Sequence, residues 1–199
     1  MDTQLLRAVQ QENVALKEEV GRLRDYVRSL QSLSHAAQQL LSEKDIMTLL
    51  DRTPYYAVTV LDACDGALLV TDEETNELAF VLVQGQVREK LPGYRIPYNE
   101  GIAGWVAEHR EPVIANNARA DSRFSSRVDE SFDFQTYSMV CVPLVARDKV
   151  LGVIEVLNKS GGRDFAEADQ DLLSLLAAIA AIALDDLTRV PEPGNGSTR

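Results

Sequence analysis

The stretch SMVCVPLVARDKVLGVIEVLNK, Ser138 to Lys159, reads as two β-strands rich in Val, Leu and Ile, joined by the charged turn Arg147-Asp148-Lys149 and ending at Asn158-Lys159. Its apolar residues fall on both faces: Met139, Cys141, Val145, Val150, Val153 and Val156 mix with Val140, Val142, Leu144, Leu151, Ile154 and Leu157. Neither face can be left in water, so the hairpin is expected at the centre of a sheet, with helices covering it and strands pairing along its edges.

Around this hairpin the chain has 199 residues, 45% of them apolar, enough for one globular domain and an appendage. A net charge of -11, with the basic residues scattered, argues against a phosphate-binding face for nucleic acid. Cys64 and Cys141 form neither a disulfide framework nor a Cys-x-x-Cys pair, which suits a reducing cytoplasm. The amino terminus lacks the basic and apolar regions of a signal peptide. The longest apolar run, Leu172 to Leu184, is shorter than the roughly 20 residues of a membrane span. A soluble, cytoplasmic protein with no nucleic-acid or membrane partner is expected.

From Leu6 a seven-residue repeat places Leu6, Asn13, Val20, Val27, Ser34 and Leu41 at a, and Val9, Leu16, Leu23, Leu30 and Ala37 at d. Val at a with Leu at d favours a parallel two-stranded coil, and an Asn at a fixes register. Glu12 with Lys17 and Glu19 with Arg24 occupy g and e positions suited to pairing between chains. Residues 1–42 are therefore expected to be a dimerisation helix with its seam along Leu6, Val9, Asn13, Leu16, Val20, Leu23, Val27 and Leu30. The seam weakens at Ser34 and Ala37, consistent either with transmission of a shift or with a static tether.

Residues 43–188 carry the globular domain. Ser42 is expected to cap a helix that Pro54 kinks or splits near Asp51 and that Asp65-Gly66 ends, with Cys64 at its close. Strands follow at Ala67 to Thr71 and Leu78 to Val83, with a short third at Tyr94 to Pro97. The acidic turn between the first two, Asp72 to Glu77, lacks the ligand spacing and glycine of a calcium loop. A helix starts near Gly101, with Gly104 allowing close packing, then comes a strand at Pro112 to Ala115 and a polar segment, Asp121 to Phe134, with Phe124, Val128 and Phe132 at nearly helical spacing. Asp164-Phe165-Ala166-Glu167 opens a last apolar helix to about Leu187. Residues 189–199, rich in Pro and Gly, are expected to be disordered.

This order of elements resembles a GAF domain. The residues carrying the resemblance are the segment from Gly101 through Pro112-Val113, the strands Val142-Pro143-Leu144 and Gly152-Val153-Ile154-Glu155-Val156, and Asn158-Lys159 followed by Phe165 and Asp169. The resemblance implies an α+β, PAS-like fold: an antiparallel sheet of five or six strands, helices on one face, and on the other a small-molecule pocket under the segment between Gly101 and Tyr137. It also implies a regulatory sensor rather than an enzyme. Cyclic-nucleotide-binding members carry an Asn-Lys, Phe, Asp-Glu signature; Asn158, Lys159, Phe165 and Asp169 match it, and Gln170 replaces the final Glu. A cyclic nucleotide is thus one possible ligand, with Lys159 and Asp169 expected to pair and support the site from the last strand and helix.

The residues themselves suggest further contacts. Helix starts near Gly101 and Asn117-Asp121 would offer free N–H groups to an anion or carbonyl. Ile102, Trp105 and Phe124 supply apolar surface, and Asn116, Asn117, Tyr137 and Glu155 could read a base or amide edge. Each also has a plain structural role open to it, as a cap or a surface group. His35 and His109 lack companions for a metal or haem site, and no nucleophile, base and orienting group assemble. The expected function is a dimeric sensor binding a small diffusible ligand and signalling through an effector protein. A ligand-free dimeric scaffold is the alternative, and a thiol oxidoreductase using Cys64 or Cys141 a distant third.

Overall fold

A computed structural model describes residues 2–188; the expected disordered tail, 189–199, lies outside them. The first helix, α1 (Asp2–Ser42), is continuous with the long amino-terminal repeat. It leads to α2 (Ile46–Leu61), then β1 (Ala63–Asp72), β2 (Glu77–Gln84) and β3 (Arg95–Pro97). Next come α3 (Gly101–His109), β4 (Val113–Ala115), a 3₁₀ turn at Ala118–Ala120 and the short α4 (Arg127–Phe132). The hairpin strands β5 (Met139–Ala146) and β6 (Lys149–Lys159) precede α5 (Glu167–Thr188). All six strands form one antiparallel sheet in the order β3-β2-β1-β6-β5-β4.

The hairpin occupies the place its composition demanded. Its β6 pairs with β1 on one side and β5 on the other. Arg147 and Asp148 both adopt positive φ, 47° and 63°, so a two-residue turn of mirror-image type closes the hairpin between the paired residues Ala146 and Lys149. Pro143 sits beyond the last β4–β5 pair, Val113 with Cys141, where its missing N–H takes no bond away from the sheet.

Side chains alternate cleanly across the hairpin. Val140, Val142, Leu144, Ile154 and Val156 face a core built with α2, α5 and the end of α1, and Met139, Cys141, Val153 and Leu157 face a second core under α3. The sheet is thus packed on both sides, the reason its strands read as almost unbroken apolar runs.

Several local expectations are corrected. Helix α2 is capped by Asp45, whose carboxylate accepts from the Thr48 N–H at 2.7 Å, while Ser42 closes α1. Pro54 does not split α2: Leu49, Thr53, Tyr56, Ala57, Val60 and Leu61 are buried along it, and that packing outweighs the roughly 3 kcal/mol of an internal proline. The helix ends at Asp62 in the left-handed conformation, so Cys64, Asp65 and Gly66 belong to β1. The last helix begins at Glu167, later than Asp164, with the Ala166 N–H bound by the Asp169 carboxylate at 2.7 Å.

The repeat of α1 divides in two. Leu6, Val9, Leu16, Val20, Leu23, Val27 and Leu30 are exposed along one chain, Leu23 by 57%. From Leu33 onward the helix turns another face inward: Leu33, Ala36 and Leu40 are buried against the helical core, whereas Leu41 is exposed. Ser34 and Leu41 remain exposed on the face of the stripe, with Ala37 half-buried beside them. The last two turns of α1 belong to the domain.

Candidate functional site

Between the sheet and the segment from α3 to β5 lies a cavity of about 70 Å³. Its floor comes from β1, β2, β5 and β6 through Ala67, Phe80, Val83, Met139, Glu155 and Leu157. Its cover comes from the start of α3 and from Phe124, Ser125, Val128, Asp129, Phe134 and Thr136. A cavity of this size holds several waters and is smaller than the roughly 300–1,000 Å³ typical of drug-sized ligand sites. A larger occupant requires the cover to move outward.

The start of α3 is held at the cavity by glycine chemistry. Gly101 has φ 73°, a conformation a side chain resists. A Cβ on Gly104 would come within 2.6 Å of the Tyr98 carbonyl oxygen, so this glycine lets the helix press against the preceding turn as expected. Glu100 occupies the cap position but its side chain makes no capping bond; it accepts instead from Ser125 Oγ at 2.8 Å and from Arg127 at 2.7 Å. The first N–H groups of α3 thus stay unpaired within the helix.

Asp129 is the anchor of the cover. Buried at 4% exposure, it accepts from the Thr136 N–H at 3.0 Å, from Thr136 Oγ1 at 2.8 Å and from Arg119 at 2.7 Å. On the floor, Asp65 accepts from the Gln86 N–H at 2.8 Å and faces the Asn158 amide at 3.5 Å.

Glu155 is different. It is 8% exposed, lies between Ala67 and Cys141 in the sheet, and has no hydrogen-bond or ion-pair partner among the described residues. Burial raises its carboxyl to about 7, and the neighbouring Asp129 charge adds to the effect. Cys141 beside it is fully buried, and burial together with Glu155 pushes its thiol well up, away from thiolate chemistry.

Of the residues singled out in the sequence, Gly101, Ile102, Phe124 and Glu155 come together on the cavity wall. Trp105, Asn116, Asn117, Asp121 and Tyr137 lie outside it. Trp105 stacks on His109 with ring centroids 4.2 Å apart and carries the Arg123 guanidinium on its ring. Asp121 binds Arg123, which holds its carboxyl below the usual range. Asn116 makes a reciprocal pair with the Phe165 backbone, accepting at 2.7 Å and donating at 2.9 Å. Asn117 stands exposed before the 3₁₀ turn and caps nothing. No full helix starts at Asn117-Asp121, because the chain makes only that turn before α4 at Arg127. Tyr137 points to solvent, 63% exposed, with its N–H given to the Asn158 side chain at 2.9 Å.

The supporting motif is assembled. Lys159 binds the Asp169 carboxylate and lies 5.5 Å from the centre of the Phe165 ring. Asn158, at φ 57°, accepts from Tyr137 and donates to the Gln135 carbonyl at 2.9 Å, tying the end of β6 to the strand of cover entering β5. Asp65, Glu100 and Asp129 were not foreseen. Nothing in their local sequence separates them from surface acids; only the sheet register and the folding back of the cover bring them inward.

A model of the GAF domain family matches residues 43–185. The chain belongs to the GAF domain family. Among curated proteins, this GAF chain is 35% identical over 94 residues to the dual 3',5'-cyclic-AMP and -GMP phosphodiesterase 11A of Takifugu rubripes, covering 46% of the chain and 10% of the relative. It is 30% identical over 115 residues to the probable 3',5'-cyclic phosphodiesterase pde-5 of Caenorhabditis elegans, covering 58% and 15%. The chain therefore spans only a small part of the curated relatives it matches. Among solved structures, the GAF domain of a phosphoenolpyruvate-protein phosphotransferase from Coxiella burnetii superposes with TM-score 0.73 at 20% identity, covering 81% of this chain and 95% of that one. Free methionine-R-sulfoxide reductase from Neisseria meningitidis, in complex with its substrate, gives 0.69 at 19% identity, covering 80% and 90%. Likeness at that identity extends to the GAF fold alone. No described helix is long and apolar enough to cross a membrane, and no described group of three His, Cys, Asp or Glu residues could hold a metal ion.

Proposed function

We propose that this GAF protein is a regulatory module that binds a small diffusible molecule in the cavity beneath α3 and α4 and passes the binding event to a partner protein. The observation that carries the reading is the cavity with a largely buried carboxyl on its floor, Glu155, that makes no hydrogen bond or ion pair among the described residues. A native fold leaves few buried polar groups without a partner, and such a group inside a cavity favours an occupant. The relatives named above are phosphodiesterases of cyclic nucleotides, which places cyclic AMP and cyclic GMP among the ligands to be tried.

A parallel homodimer completes this reading. The exposed stripe from Leu6 to Leu30 is apolar, carries Asn13 at one a position, and is left uncovered by the described residues of its own chain. Because α1 then packs on α2 and α5 through Leu33, Ala36 and Leu40, a dimer formed by the stripe is mechanically joined to the sheet that floors the cavity. The reading includes a cytoplasmic setting and a non-catalytic role. Cys64 is exposed and alone, Cys141 is buried, and both His35 and His109 lie away from the cavity.

Thermal unfolding of the full chain with cyclic AMP, cyclic GMP, amines, amino acids and nucleobases tests the reading. A ligand held only by the folded state adds about 2.7 kcal/mol at a hundredfold excess over Kd and raises Tm. Silence across the whole panel overturns it in favour of a ligand-free dimeric scaffold, a reading to which the small size of the cavity lends weight.

A further inference from the structure

Four carboxylates line the cavity: Asp65 of β1, Glu100 before α3, Asp129 of α4 and Glu155 of β6. No Lys, Arg or His among the described residues lines it. Three of the four acids are engaged, Glu100 by Ser125 and Arg127, Asp129 by Thr136 and Arg119, and Asp65 by the Gln86 N–H. Glu155 alone is buried and unpartnered, on the cavity face of its strand with Val153 and Leu157. The acids do not converge on a point that could hold a metal ion.

An anion would find one attraction, the free N–H groups at the start of α3, equivalent to about half a positive charge. Against it stand the full charge of Asp65, which no basic side chain pairs among the described residues, and that of ionised Glu155. In a poorly screened interior the carboxylates win.

We infer that the cavity selects a compact organic cation, an ammonium- or amidinium-bearing molecule with an apolar body, whose N–H groups donate to the Glu155 carboxylate. The inference rests on the cavity being a ligand site, and it names the chemistry of the occupant. Phe80, Val83, Met139 and Leu157 receive the apolar body, and the charge on the nitrogen answers Glu155 with Asp65 nearby on the same wall. A phosphate-bearing ligand of any size meets the wrong field.

Binding of such a cation is linked to the protonation of Glu155. The ionisable groups sharing its surroundings are Asp129 from α4, Asp65 from β1, Glu100 at the head of α3 and Cys141 from β5, with Arg119 reaching Asp129. With its carboxyl near 7, Glu155 changes from mostly neutral to mostly ionised between pH 6 and pH 8. Cation affinity therefore increases about tenfold across that interval, with a proton released on binding.

Titration calorimetry of the full chain decides the matter with three probes: benzamidine, its charge-reversed isostere benzoate, and cyclic GMP, each at pH 6 and pH 8. The expected result is binding of benzamidine, tighter at pH 8 by about tenfold, with benzoate and cyclic GMP weaker by at least as much. Glu155→Gln should lose the pH dependence and about tenfold in affinity at pH 8, its folding verified by thermal unfolding. Tighter binding of benzoate or cyclic GMP overturns the inference and leaves the ligand-site reading intact. So does benzamidine binding that ignores both pH and, in a folded variant, Glu155→Gln. Absence of binding by all three probes also overturns the inference, and the wider thermal panel then decides separately whether the cavity is a ligand site at all.

Discussion

Glu155 is the residue whose chemistry most depends on where the chain puts it. It is a glutamate between Ile154 and Val156, and the sequence offers it as one of several polar groups that could read a base or amide edge. Its raised carboxyl followed from something the sequence does not display, the closing of the cover over it and the arrival of Asp129. A group whose folded pKa is raised above its unfolded value contributes stability at low pH and loses it as pH rises. Here the window runs from about 4.5, the ordinary value, to about 7. Glu155→Gln should therefore be more stable than the natural protein at pH 8, by on the order of 1–3 kcal/mol, with the difference shrinking towards pH 5; urea unfolding at the two pH values measures it, and a constant difference would refute the assignment. A second residue-scale expectation concerns the Lys159–Asp169 pair. Both side chains are mostly buried, and Asp169 also binds the Ala166 N–H. Lys159→Ala leaves that carboxylate buried without its cation and should cost roughly 3 kcal/mol in denaturant unfolding. Asn116→Ala removes both bonds to Phe165 and should cost about 1–3 kcal/mol by the same measurement. That role was invisible in the sequence, because the partner lies 49 positions away.

Among the elements, the hairpin and the long first helix were the most legible, each for a periodic reason. Alternating apolar side chains over β5 and β6 require burial on both faces, and the two-residue turn left little freedom in their pairing. The seven-residue repeat of α1 announced a helix over its whole length. What periodicity could not give was the second face of the helix that turns inward near its end. Leu33, Ala36 and Leu40 are one more set of helical neighbours in the sequence, and they become core only because α2 and α5 come to meet them. This sets how the proposed dimer is tested. A chain beginning at residue 31 keeps those three anchors and loses the stripe, so it should stay folded and become monomeric by light scattering. Leu16→Lys with Leu23→Lys in the full chain should give the same result, since both side chains are exposed here and would oppose like charges in a parallel pair. Retention of a dimer by either would move the main contact into the domain. Pro54 is the opposite lesson: a strong local signal for a break, overridden because nearly every turn of α2 is packed.

Over the whole molecule, the sheet is a partition with a helical core and a long helical arm on one side and an acid-lined cavity on the other. The cover of that cavity, from the 3₁₀ turn at Ala118–Ala120 to Thr136, is held largely by side-chain bonds to Asp129 and Glu100 rather than by long regular elements. It is the natural place for local opening. Amide hydrogen exchange over residues 118–137 should therefore slow on binding of a ligand while the exchange of β1 and β6 changes little, and uniform slowing would place the ligand elsewhere. The sequence by itself determined the class of fold, the antiparallel sheet centred on Ser138 to Lys159, and the helical arm, because these rest on patterns within a few residues of one another. It also marked Gly101, Ile102, Phe124 and Glu155 among residues that reach the cavity. Only the tertiary structure decided that Asn116, Asp121 and Tyr137 bond elsewhere, that Asp65, Glu100 and Asp129 join Glu155, and that the cavity they form is small and negative. Those properties depend on which distant segments meet and on how much water their meeting excludes, and neither is written in the spacing of residues along the chain.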